Sequence, residues 1–338
     1  MMLYYRPLVQ IGPARPDAAL TLAGGWGWFT HVEVLSRNAP ARIIDADQVP
    51  APILGRLTAA RPDIAGLSMG RPQIMGILNT TPDSFSDGGQ HADIGDAVAA
   101  GQAMQAAGAD MLDIGGESTR PGAADVAPQE EINRTAPVIA ALRAAGMDLP
   151  ISIDTRKAAV AEAAIGMGAN LVNDVSGFTF DPGLATFCQK HGLPVCVMHA
   201  QGDPATMHLN PSYDDVLLDV YDALEGQIAA LEMTGIPRGA ILADPGIGFG
   251  KTQEHNLALL ARISLYHMLG TPLLLGVSRK KFIGTIGEAP EPRDRTAGSL
   301  AVGLAGLSQG VQMIRVHDVR ETRQAVALWH AAYFGSIL

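Results

Sequence analysis

The sequence predicts an α/β fold: a closed (β/α)8 barrel of the TIM type, preceded by an N-terminal accessory segment. Three observations predict it. From residue 74 onward, short apolar runs that end in Gly, Asp, Asn or Ser alternate with longer Ala- and Leu-rich stretches, the pattern of βα units. Eight such units fit between residues 74 and 333. Their strands start about 34 residues apart, which leaves room for one strand, one helix and two loops. An open doubly wound sheet is the alternative, but it usually has fewer strands and a clear mid-chain reversal.

The strands are read as Ile74–Leu78, Met111–Ile114, Ile151–Ile153, Leu171–Val175, Val195–Met198, Ile241–Ala243, Leu273–Val277 and Met313–Val316. The clearest helix lies at 214–235, where Leu217, Val220, Leu224, Ile228 and Leu231 recur at steps of three and four and build one apolar face. The uncharged run Thr296–Ile314 is long enough to span a bilayer, yet its four Gly, two Ser and two Gln read as a buried helix, its loop and the start of a strand. Residues 1–72 break the pattern. They are punctuated by Pro and Arg, carry Trp26 and Trp28 in GGWGWFTHVEVLSR and a short helix at Ala51–Ala60, and suggest no chemistry. They read as an extension packed on a barrel at 73–338. No repeat of fixed period is visible, which excludes a solenoid.

The 338 residues carry 24 Lys+Arg against 34 Asp+Glu, a formal charge of −10, with 47% apolar and 17% charged residues. That composition builds a large core and excludes a disordered polyelectrolyte. An acidic chain without a Lys/Arg run is no general partner for nucleic acid or an anionic membrane, so any anion it binds must meet a local basic pocket. Cys188 and Cys196 offer neither a disulfide framework nor a CxxC metal site, which suggests a reducing, cytoplasmic setting. The start MMLYYRPLVQIGPARPD has no continuous apolar stretch, so no export signal is expected.

In such a barrel the active site is built at the carboxyl ends of the strands. The residues there are Asn79, Gly115 to Arg120, Asp154, Asn173–Asp174, His199, Asp244, Ser278 to Lys280, and Arg315 with His317. All eight strands end in hydrogen-bonding or charged groups, as one shared polar pocket requires. Each has a plainer reading. Asp154 or Asp174 suits a helix N-cap, Asn79 a turn, and SRKKF a solvated basic turn. Asp244 is harder to explain away, because Pro245 and three alternating glycines build a tight loop just after it. Arg315 and His317 share one side of an extended segment, which suits an anionic phosphate group. GIGFGKT at 246–252 resembles a phosphate-binding loop but has Pro245 where the first Gly is required and Lys251 where a dinucleotide motif needs its third Gly.

Carboxylates and amides such as Asp154, Asn173 and Asp244, with Lys280 nearby, suit the donor and acceptor edge of a flat heterocycle. Arg315, His317, Asn79 and Thr119 would offer a place for phosphate. A lone Asn ligand fits Mg2+ held mainly by substrate phosphates and water.

Taken in order, ILNTTPDSFSDGG, LDIGGESTRPGA, ISIDT, NLVNDVSG, VCVMHAQG, ADPGIGFGKT, GVSRKKFIG and IRVHDV closely resemble the dihydropteroate synthases of folate biosynthesis. These eight blocks cover nearly all of residues 74–333 at consistent spacing. Thr80 stands where that family most often has Val, a small isosteric change. The resemblance implies an enzyme that joins 6-hydroxymethyl-7,8-dihydropterin diphosphate to 4-aminobenzoate with release of diphosphate, uses Mg2+, forms a homodimer and is a sulfonamide target. By similarity Asp154, Asn173, Asp244, Lys280 and Met198 match pterin-binding positions. Asn79, Thr119, Arg120, Arg315 and His317 match the diphosphate region, Asn79 as the Mg2+ ligand. Thr119, Arg120, Pro121, Phe249 and Lys281 match the 4-aminobenzoate loops. Asp244, Lys280, Arg315, His317, Thr119 and Arg120 would carry the catalysis. Two other readings remain at this point. A pterin-binding methyltransferase barrel would share the carboxylate pocket but has no use for the STRPG, SRKK and RVH blocks. A non-catalytic pterin-binding paralogue is opposed by intact Asn79, Arg120, Lys280 and His317.

Overall fold

The structure, a computed structural model, describes residues 2–80, 90–118, 125–202, 207 and 210–337. The N-terminal segment contains β1 (Tyr4–Pro7), β2 (Leu20–Thr21), β3 (Trp28–Phe29), β4 (His31–Ser36), β5 (Ala39–Asp45) and α1 (Ala51–Thr58). The remainder alternates strand and helix: β6 (Gln73–Asn79), α2 (Gln90–Ala106), β7 (Met111–Gly115), α3 (Pro128–Ala144), β8 (Ile151–Asp154), α4 (Ala158–Gly166), β9 (Leu171–Asp174), α5 (Pro182–Lys190) and β10 (Val195–Met198). It continues through α6 (Val216–Thr234), β11 (Ile241–Asp244), α7 (Gln253–Ala261), β12 (Leu274–Gly276), α8 (Lys281–Ile286), α9 (Thr296–Ser308), β13 (Met313–Val316) and α10 (Val319–Phe334).

Strands β6 to β13 form one eight-stranded sheet in the order β11-β10-β9-β8-β7-β6-β13-β12. Every pairing in it is parallel. A parallel bridge between Ala243 and Leu273 brings the two ends together, so the sheet is a barrel and not an open doubly wound array. All eight expected strands are present, with ends that coincide or differ by one residue. Helix α6 shows how local sequence sets its bounds. The Asp215 carboxylate accepts from the Leu217 and Leu218 N–H groups at its start, and Gly235 at φ +99° ends it in the left-handed region. The same five apolar residues that defined its face are all buried.

Side chains alternate in and out along each strand. Met75, Met111, Leu171, Cys196, Leu242, Leu274 and Met313 form one buried cluster in the barrel interior. Their neighbours Ile74, Leu112, Val172, Val195, Ile241, Leu275 and Ile314 belong to the larger core between sheet and helices. Two residues further along from the inward set lie Ile77, Asp113, Asn173, Met198, Asp244, Gly276 and Arg315. The interior therefore changes from apolar to polar within one pleat.

The stretch from Ile64 to Met69 packs against the opposite, amino end of the barrel. Ile64 and Met69, both fully buried, join the interior cluster, with Leu67 packed against it. The antiparallel sheet β1-β4-β5 is fastened to α6: the Tyr4 hydroxyl donates to Asp222 at 2.8 Å, and Arg37 pairs with Asp219 and Asp222. Trp26 Nε1 donates to the Leu307 carbonyl of α9. Among the described residues no helix is long and apolar enough to cross a membrane.

Candidate active site

The inward polar layer centres on Arg315 of β13. Its Nε donates to Asp113 of β7 at 2.5 Å and its Nη2 to Asp154 of β8 at 2.8 Å. Asn173 of β9 donates from Nδ2 to the same Asp113 oxygen at 3.3 Å. One guanidinium thus ties together carboxylates and an amide from three other strands. Sequence placed Arg315 with the diphosphate; in the structure its fork is engaged by the two carboxylates. Asp113 is fully buried, and its Oδ1 has no hydrogen-bond partner among the described residues. Burial pushes the Asp154 carboxyl above the usual carboxylate range, against the opposing pull of Arg315. Asp113 was missed by sequence because it lies inside an apolar run, not after it. The available signal was its register: it is two residues from Met111 and therefore faces the interior.

Asp244 ends β11 and is buried, its Oδ1 accepting from the Gly246 N–H at 2.7 Å. Burial raises this carboxyl too, while Gly246, Lys280, Lys251 and Arg315 oppose the rise. Gly276 on β12 leaves room beside it, since a Cβ there would stand 3.7 Å from Asp244 Oδ2. Lys280, the residue before α8, places its ammonium over the Phe249 ring at 4.1 Å, and burial lowers its pKa although Asp244 pulls the other way. Met198 is buried against the same turn. Lys281 follows as the exposed first residue of α8.

His317 lies just past β13. Its backbone N–H donates to Ser278 Oγ at 3.1 Å and its Nδ1 lies 3.0 Å from the same oxygen. Burial, with Arg279 and Arg315 nearby, pushes its pKa down to about 4, so at neutral pH it offers hydrogen bonds and no charge. Asn79 ends β6 beside Gly115, where a Cβ would meet Asp154 Oδ2 at 3.8 Å and Asn79 Oδ1 at 3.9 Å. The amide of Asn79 and the carboxylate of Asp154 therefore flank one small space.

The plainer readings separate cleanly. Asp154 caps no helix, since α4 follows Lys157 as its N-cap. Asp174 does take a turn role, accepting from the Ser176 and Phe178 N–H groups and the Ser176 hydroxyl. Thr119, Arg120 and Pro121 lie outside the described residues. The stem of that block is described: Glu117 accepts from Arg156 at 3.2 Å and from the Val126 N–H at 2.9 Å, and pairs with Lys157 at 3.0 Å. Sequence gave no reason to single out Arg156 or Lys157, whose partner is 39 or 40 residues earlier in the chain.

The family model for pterin binding enzymes matches residues 75–317. The chain belongs to that family. This pterin-binding enzyme is 46% identical to the dihydropteroate synthase of Escherichia coli (strain K12) over 256 residues, 76% of its own length and 90% of the relative's. It is similar in structure to Xanthomonas albilineans dihydropteroate synthase with 4-aminobenzoic acid, at 45% identity and a TM-score of 0.75 over 80% of this chain and 97% of that one. The X. albilineans enzyme in complex with 7,8-dihydropteroate gives 42% identity and a TM-score of 0.73, covering 80% and 98%.

Proposed function

We infer that the chain catalyses the dihydropteroate synthase reaction, joining the methylene carbon of 6-hydroxymethyl-7,8-dihydropterin diphosphate to the amine of 4-aminobenzoate and releasing diphosphate. The observation that carries this reading is the polar layer itself: Asp113, Asp154, Asn173 and Asp244 face one interior with Arg315 and Lys280, and one oxygen of buried Asp113 has no protein partner among the described residues. A pterin edge carries amino and ring N–H donors beside carbonyl and ring-nitrogen acceptors, so it suits such a mixture. A methyl-transferring barrel would have no use for the basic groups at the rim.

The bond from the methylene carbon to the diphosphate oxygen breaks with help from the ring electrons, leaving positive charge on the pterin-methyl group. Asp244 and Asp154 favour that charge, and His317 as a neutral hydrogen-bonding group stabilises the departing anion, with Arg315 acting through its charge while its Nε and Nη2 stay on Asp113 and Asp154. The arylamine is already largely unprotonated at neutral pH, so no strong general base is required. Thr119 and Arg120 are assigned to the diphosphate and, with Pro121, Phe249 and Lys281, to the 4-aminobenzoate. Phe249 would supply a flat apolar wall for its ring.

Magnesium is the cofactor we propose, with Asn79 as its protein ligand. Among the described residues no three His, Cys, Asp or Glu side chains are grouped to hold a metal, and Asn79 brings a single amide oxygen. That donor set fits an ion held mainly by substrate phosphates and water. Bound there, the ion would neutralise charge on the leaving diphosphate. Two buried free thiols suit a cytoplasmic enzyme, and a homodimer through the late barrel helices is the assembly we propose. Residues 1–72 form an extension that seals the amino end and takes no part in the chemistry. The deciding experiment is diphosphate release from the purified enzyme with each substrate omitted in turn. Release that needs both supports the reading, and release indifferent to 4-aminobenzoate refutes it.

A further inference from the structure

Lys251 is almost wholly buried, and no carboxylate lies within ion-pairing distance of its ammonium among the described residues. Its Nζ instead meets the Gly246 carbonyl at 2.9 Å, the Phe249 carbonyl at 3.0 Å and His199 Nδ1 at 2.9 Å, with the His199 carbonyl further off at 3.3 Å. An ammonium has three protons, and the three nearer acceptors use all of them. Burial and the Lys251 charge push the His199 pKa down to about 3, so its neutral ring can present Nδ1 as an acceptor.

Those contacts span the turn between Asp244 and α7, which needs holding. Gly246, Gly248 and Gly250 all sit at positive φ, of +66°, +83° and +60°, where glycine's freedom makes the turn possible and costs most entropy to fix. A Cβ at Gly246 would collide with the His199 carbonyl, so the turn is pressed against the end of β10. Its other ties are single bonds: the Phe249 N–H to the Gly246 carbonyl at 3.1 Å within the turn, the Gly246 N–H to Asp244 Oδ1, the Gly248 N–H to Asn256 Oδ1, and the Tyr213 hydroxyl to the Gly250 carbonyl. Lys251 is the side chain that grips the turn at both Gly246 and Phe249.

We propose that Lys251 is a positioning residue of this reaction: its side-chain nitrogen holds the Gly246–Gly250 turn in the shape that sets Asp244 toward the pterin and Phe249 over Lys280. Burial pulls the Lys251 pKa itself down to about 7, and below that pH its charge opposes the rise of the Asp244 carboxyl. This rests on the synthase reading above. The charged groups acting on Asp244 are Lys280 just before α8, Arg315 from β13 and Lys251 itself; those around Lys251 are His199, Asp244 and Lys280, with Tyr213 and His255 behind the His199 ring.

The test compares wild type with Lys251→Met and Lys251→Gln, measuring KM for 4-aminobenzoate and the pH profile of kcat/KM for the pterin diphosphate. Methionine removes both grip and charge. It should raise KM for 4-aminobenzoate about tenfold, a loss of one or two charged hydrogen bonds, and move the acid limb of the profile up by about half a unit or more. Glutamine keeps donors for the carbonyls but no charge, so it should recover much of the KM and none of the limb. If Lys251→Met does not fold, the glutamine variant alone decides the matter by its limb. Folded variants with wild-type KM and an unmoved limb would overturn the proposal. If wild type itself releases no diphosphate with both substrates, the synthase reading falls and the Lys251 role with it; an active wild type with indifferent variants overturns only the latter.

Discussion

Replacing Arg315 with Met removes the guanidinium that joins Asp113 and Asp154 while filling most of its volume. The structure sets the expected cost. Asp113 is fully buried, its Oδ1 has no partner among the described residues, and its Oδ2 would keep only the Asn173 amide at 3.3 Å. Breaking a buried pair by deleting one member typically costs about 3–5 kcal/mol, because the remaining charge stays out of water. Asp154 adds less, since its side chain is 12% exposed and water can reach it. We therefore expect Arg315→Met to lose about 3–5 kcal/mol of unfolding free energy in urea at pH 8, with an unchanged m-value. Adding Asp113→Asn should recover at least half, because the stranded charge is then gone. Because the same guanidinium holds Asp154, which we propose binds the pterin, bare pterin should bind more weakly too. A loss under about 1 kcal/mol, or no recovery in the double variant, would refute the idea that Arg315 neutralises the barrel interior.

Asp244→Asn should cost at least about 2 kcal/mol of transition-state stabilisation, read as kcat/KM for the pterin diphosphate; wild-type rates would remove Asp244 from its role. In the wild type, kcat/KM should fall on acidification with a midpoint above the ordinary Asp value of about 4, because burial raises this carboxyl and its ionised form is the active one. The same shift has the opposite consequence for folding. A carboxyl raised in the folded state lends stability below its unfolded pKa and loses it as pH rises through the folded value, so Asp244→Asn should gain stability relative to wild type between pH 4 and pH 8 in parallel denaturation curves. At the other end of the barrel, Ile64→Ala should cost about 2–4 kcal/mol of stability with kinetic constants unchanged. A change in KM there would mean that the amino-end seal reaches the site.

The order of strands and helices was legible because each element carries its own signal. Apolar runs of three to five residues marked the eight strands, and the spacing of Leu217, Val220, Leu224, Ile228 and Leu231 marked α6. The rule that chemistry follows strand ends singled out Asn79, Asp154, Asn173, Asp244, Arg315 and His317 as candidates without knowledge of contacts. It passed over Asp113 because a charged residue within an apolar run looks like an interruption. Lys251 was set aside for the same kind of reason: as a motif its neighbourhood fails, and only its burial against three carbonyls and His199 gives it a use.

By itself, the sequence determined the fold class and the family, since periodicity and local motifs are properties of short stretches of chain. Tertiary structure decided who partners whom. Arg315 meets Asp113 and Asp154 across 202 and 161 residues of chain, and His317 is held neutral by what surrounds it. Ile64 and Met69 complete the interior from outside the repeating units. Charge, protonation and burial depend on distances between segments remote in sequence, and closing the barrel is what fixes those distances.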